Sequence, residues 1–163
     1  MTETPEGVFH HRELPFDVFA GEVSNKTSKA VLMFYTQFMA WDMSVIKQYM
    51  VANAIYTAEE IDGAEAEYKK WLALAVAYMP RSVPISAKVD KFWHTHILFT
   101  QDYTAMSKSI AGEYIHHRPS ILDSARELEG AFSENTLALY YQYFGRPNPM
   151  FWDSVMCTCQ IGE

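Results

Sequence analysis

Residues 91–100 read KFWHTHILFT, with two histidines flanking Thr95 in an otherwise apolar stretch, one residue after Asp90. Two more histidines, His116 and His117, follow 20 residues further on in GEYIHHRP. Imidazole and carboxylate groups close in sequence can orient one another by hydrogen bonding or bind a divalent cation together. Which of them cooperate depends on the element that carries them.

On a strand, His94 and His96 would point to one face and could share an ion. On a helix, at 100° per residue, they separate. Val89, Phe92, Trp93, His96, Phe99, Thr100 and Tyr103 then form one apolar stripe with His96 near its middle. Asp90, His94, Ile97 and Gln101 form a second stripe, roughly 130° around the cylinder. The spacing is helical and the segment is too long for a strand, so the two histidines are expected to do different jobs. His96 reads as a core histidine bonded to a neighbour, since buried polar groups are normally satisfied. His94 lies one turn after Asp90, a spacing that places imidazole beside carboxylate.

The elements around this segment follow from composition and punctuation. The chain has 163 residues, 49% hydrophobic and 15% aromatic, with only 7 glycines and 7 prolines. This is the size of one domain with a single core, and low glycine favours helices. The expected fold is all-α: a single-domain bundle of about five helices spanning 1–163, with an irregular N-terminal arm and C-terminal tail. Residues 1–26, which include His10 and His11, read as the arm. A strongly apolar segment from Thr27 or Ser28 to about Tyr56 forms one long helix or two, with Asp42 a cap at the break. Thr57 and Glu60 fit a capping box for a helix that must stop at Pro80. Ser86 suits the N-cap of a helix over 87–111 and Gly112 its C-terminal cap. A last helix is expected over about 121–144, closed by Gly145 and followed by a proline-interrupted tail packed over the helices.

A formal charge of −7 and a pI near 5.3 disfavour nucleic acid and a polybasic membrane mode. Apolar runs such as WLALAVAYM are too short to cross a bilayer, and MTETPEGVFHH lacks the apolar core of a secretory signal. Cys157 and Cys159, one residue apart, cannot staple a fold, so a reduced, cytoplasmic setting is expected.

Metal ligation by Asp90, His94 and one of His116 or His117 meets one geometric obstacle. On an unbroken helix over 87–111 its two ends lie roughly 25 Å apart. The connection from Gly112 to His117 reaches roughly 17 Å when extended. The chain must turn sharply, or the helix must end early. In an extended segment the two adjacent rings face opposite sides, so at most one joins a given site.

VDKFWHTHILFTQDY followed by GEYIHHRP resembles the glycine-rich domain-containing protein-like family. Asp90, Trp93, His94, His96, Ile97, Leu98, Thr100, Tyr103, Gly112, His116, His117 and Pro119 carry the likeness. The flanking helices extend it over about 58–145, while Ser107 stands where related sequences commonly have cysteine. The resemblance implies metal binding without an assigned reaction.

Two functions follow. One is a metal-binding protein or metal-dependent enzyme with Asp90, His94 and His116 or His117 as ligands for Fe or Zn. Tyr103 or His96 then orients ligands or transfers a proton, and Cys157 and Cys159 are a further ligand pair. The other is a non-catalytic interaction module in which Trp, His and Tyr form a buried network. The expected partner is a small molecule or peptide.

Overall fold

The computed structural model describes residues 25–119, 127, 130–152 and 159–160. Among these the protein is all-helical: α1 Asn25–Ala40, α2 Ser44–Ala52, α3 Ile61–Ala77, α4 Ala87–Leu98, α5 Thr100–Met106, α6 Ala138–Phe144 and α7 Pro149–Trp152. A π-helical turn, Ser107–Ala111, continues α5, and another, Phe132–Leu137, leads into α6. A two-residue antiparallel bridge pairs β1, Arg118–Pro119, with β2, Cys159–Gln160.

Local chemistry sets most of the boundaries. The apolar segment after residue 27 divides into α1 and α2, and the Asp42 carboxylate accepts from the Ser44 backbone N–H at 2.9 Å. Thr57 and Glu60 close a reciprocal capping box, with Thr57 N–H donating to Glu60 Oε2 at 3.1 Å and Glu60 N–H to Thr57 Oγ1 at 3.2 Å. The Ser86 hydroxyl caps α4 by accepting from Val89 N–H at 3.2 Å. Gly112, at φ 82°, takes the left-handed conformation that ends the π-turn after α5 and redirects the chain.

α3 is the central helix. Tyr68, Trp71 and Leu72 on it are fully buried, together with Phe38, Phe92, Trp93, Tyr103, Tyr140 and Trp152 from around it. A large aromatic residue with a polar edge needs a partner when buried. Each of the four indoles has one: Trp41 donates to Asp102, Trp71 to the Val83 carbonyl, Trp93 to Tyr103 and Trp152 to Glu67. Buried Lys69 donates to the Trp41 and Met39 carbonyls at the C-terminal end of α1, where the helix dipole favours a cation, and pairs with Glu65.

Three expectations need correction. The single helix over 87–111 is two, because Phe99 leaves helical geometry at φ −82° and ψ 66°. On an unbroken helix, residues six apart lie about 9 Å along the axis and on different faces. Yet His96 Nε2 lies 2.7 Å from Asp102 Oδ2, and Trp93 bonds Tyr103, ten residues away. Those contacts require the break. Second, the helices number seven among the described residues, not about five. Third, the tail is not wholly irregular: α7 buries Phe151 and Trp152, and Ser86 Oγ donates to the Phe151 carbonyl at 2.5 Å. The arm with His10 and His11 lies outside the described residues, as does most of 121–129.

Glu67 shows how much the tail matters. Its buried carboxylate accepts from Tyr140 O–H and, at 2.8 Å, from the Trp152 indole, with Lys70 Nζ at 3.4 Å. Removing it leaves two buried donors without acceptors, each costing about 1–3 kcal/mol. Glu67→Ala is therefore expected to lower the unfolding free energy by about 3 kcal/mol in urea titrations. A change under about 1 kcal/mol would show that water replaces the carboxylate.

Candidate metal centre

The first two turns of α4 carry Asp90 and His94. Ser86 fixes the start of that helix, and the i, i+4 spacing then brings the two side chains together, with His94 Nδ1 2.7 Å from Asp90 Oδ2. The same nitrogen lies 2.9 Å from the Asp90 backbone carbonyl.

His117 reaches the other carboxylate oxygen, Nε2 to Asp90 Oδ1 at 3.2 Å. The imidazole centroids of His94 and His117 are 4.3 Å apart. One ligating atom from each of Asp90, His94 and His117 can be chosen so that all lie within 4.8 Å of one another. Tetrahedral ligands about 2.1 Å from a zinc ion are about 3.4 Å apart, a separation of the same order as that spread. The geometric obstacle disappears because the helix ends at Leu98: α5 and its π-turn run elsewhere, and residues 112–117 return to the start of α4.

The cluster has a closed and an open side. The side chains of Asp90 and His117 are 8% and 12% exposed, whereas that of His94 is 56% exposed. The Trp93 ring backs His117 with centroids 4.1 Å apart. An ion held there would keep coordination positions toward solvent. This Asp/His/His group could hold a metal.

The remaining sequence candidates lie elsewhere. His116 is exposed and packs against Tyr114, centroids 4.9 Å apart, away from the ligating atoms. Cys157 lies outside the described residues, and for Cys159 the backbone pairs with Pro119, two residues after His117.

His96 belongs to a second, buried pair. Its Nδ1 is 3.0 Å from Tyr68 Oη and its Nε2 2.7 Å from Asp102 Oδ2. Burial lowers its pKa, which the Asp102 carboxylate only partly opposes, so the ring is neutral near pH 7. A neutral ring bonded to a carboxylate places its one proton on Nε2, and Nδ1 then accepts from Tyr68 O–H. Tyr68 itself is pushed well above the usual phenol range by burial and stays protonated. Asp102 and Tyr68 went unnoticed in the sequence. Asp102 sits six residues from His96, a spacing with no meaning on a continuous helix, and Tyr68 comes from α3.

A family model described as UCP032817-like matches residues 28–136. No curated protein and no solved structure matches the chain. The match covers about two-thirds of the sequence and takes in α1 through the return segment, so the chain belongs to the UCP032817-like family. The likeness to the glycine-rich domain-containing protein-like family is thereby corrected. That likeness rested on the signatures around Asp90 and His117 and on the flanking helices over about 58–145, but the family whose model matches is the UCP032817-like one, and its match also takes in α1 and α2.

Proposed function

We propose that this member of the UCP032817-like family binds one divalent cation through Asp90, His94 and His117, in a single-domain helical bundle. The observation that supports this most is the convergence of ligands from two segments, 27 residues apart, on both oxygens of one buried carboxylate. Zn²⁺ and Fe²⁺ are the ions whose chemistry the donor set fits. The solvent side around His94 leaves room for a bound water or a small-molecule or peptide substrate, so a metal-dependent enzyme is the fuller form of the reading. A divalent ion there would supply Lewis acidity. The chain's own residues hold it: Asp90 contributes the anionic charge, His94 the exposed edge and His117 the shielded one. A cytoplasmic setting is consistent with the two closely spaced thiols, and among the described residues no helix is long and apolar enough to cross a membrane.

Untagged protein stripped with chelator and titrated with Zn²⁺ should take up one equivalent in calorimetry. Binding should weaken in acid, because imidazole and carboxylate groups ligate a cation only when deprotonated. No uptake, with the protein folded and equally stable in chelator, would instead favour an interaction module. Trp93, His96 and Tyr103 are fully buried, as the structural network of such a module would require.

A further inference from the structure

We infer that Tyr103 is a positioning residue for the metal centre: with Trp93 it grips the backbone of the return segment and so delivers His117 to Asp90 and His94. The inference rests on the metal reading above. Asp90 and His94 need only a helix to meet, but His117 arrives on a segment without regular structure of its own between Gly112 and the bridge at Arg118. Two hydrogen bonds in series, linking three residues, tie that segment down. Trp93 Nε1–H donates to Tyr103 Oη at 2.8 Å, and Tyr103 O–H donates to the Ile115 carbonyl at 2.6 Å.

Ile115 is two residues before His117, so fixing its carbonyl limits where the imidazole can go. The Trp93 ring also packs directly on His117, tilted at 45° with centroids 4.1 Å apart. Tyr103 is fully buried and both its roles, donor and acceptor, are engaged. It therefore acts through the backbone rather than on a substrate at the open face. The same two residues bridge the break at Phe99, so the site is assembled by the elbow between α4 and α5.

The test is Co²⁺ binding to metal-stripped protein, followed by visible absorption, in the wild type and in Tyr103→Phe, His117→Ala and Tyr140→Phe. Groups that orient a ligand typically contribute 10- to 100-fold in metal affinity. Tyr103→Phe is expected to bind Co²⁺ about 10- to 100-fold more weakly, with its absorption bands moved toward those of His117→Ala. Tyr140→Phe, which loses a buried hydrogen bond to Glu67 outside the site, should be less stable yet keep the wild-type affinity and spectrum. Tyr103→Phe with wild-type affinity and bands would overturn the positioning role. Should that variant not fold, Gly112→Ala perturbs the same segment through its left-handed turn, with nothing within 4 Å of the added methyl. Unchanged Co²⁺ affinity in Gly112→Ala would then overturn the role. Failure of the wild type to bind Co²⁺ is a different result, and it removes the metal reading together with this inference.

Discussion

Asp90→Ala is expected to abolish stoichiometric metal while leaving a folded protein. Both imidazoles reach the cluster's centre through this one side chain, His94 at 2.7 Å to one oxygen and His117 at 3.2 Å to the other. Its removal takes away the only anionic member of the Asp90, His94, His117 group. Loss of a direct ligand should exceed the roughly 100-fold upper range for groups that merely orient one. The stability cost in chelator should be modest. Asp90 lies in the first turn of α4, where a carboxylate is worth about 0.3–1 kcal/mol through the helix dipole. Metal analysis and urea unfolding of the same preparation check both halves. Full metal occupancy in Asp90→Ala would place the ligands elsewhere.

The second large effect concerns the neighbouring histidine. His96→Ala is expected to lower the unfolding free energy by about 3–4 kcal/mol, and His94→Ala by less than about 1 kcal/mol. The His96 side chain is wholly buried, so its removal leaves a cavity and strips the Tyr68 hydroxyl of its acceptor. Asp102 suffers less, because its side chain is 37% exposed and keeps Trp41 as a donor. His94 is more than half exposed and its loss opens no cavity.

The stability due to His96 should also vary with pH. Its folded pKa lies below the ordinary 6.5, so between the two values the unfolded chain binds more protons. That part of the stability is present above about pH 6.5 and is lost as pH falls through and below it. The gap between wild type and His96→Asn in urea midpoints should accordingly narrow from pH 7.5 toward pH 5. Equal destabilisation by His94→Ala and His96→Ala would contradict their assignment to different faces.

Much of the local structure was legible along the chain because it depends on near neighbours. The Thr57–Glu60 box, the Ser86 cap and the left-handed Gly112 are each decided within four residues. The break at Phe99 was not, because ILFT carries no proline or glycine and continues the helical stripe. It is stabilised by contacts that only a bent chain can make, His96 with Asp102 and Trp93 with Tyr103. Glu67 was equally silent, as both of its buried donors come from the last quarter of the sequence.

The candidate centre divides along the same line. That Asp90 and His94 share a face while His96 turns away follows from 3.6 residues per turn alone, and any helix through Trp93 would impose it. Whether His116 or His117 approaches them was open in the sequence, since both precede the same Arg-Pro pair. Tertiary structure decided for His117: the bend at Phe99, the return at Gly112 and the hold of Tyr103 on Ile115 bring one ring to Asp90 and leave the other against Tyr114. The reason is one of range. Helical periodicity is a property of adjacent peptide units, whereas the position of His117 depends on hydrogen bonds whose partners meet only once the aromatic core has packed.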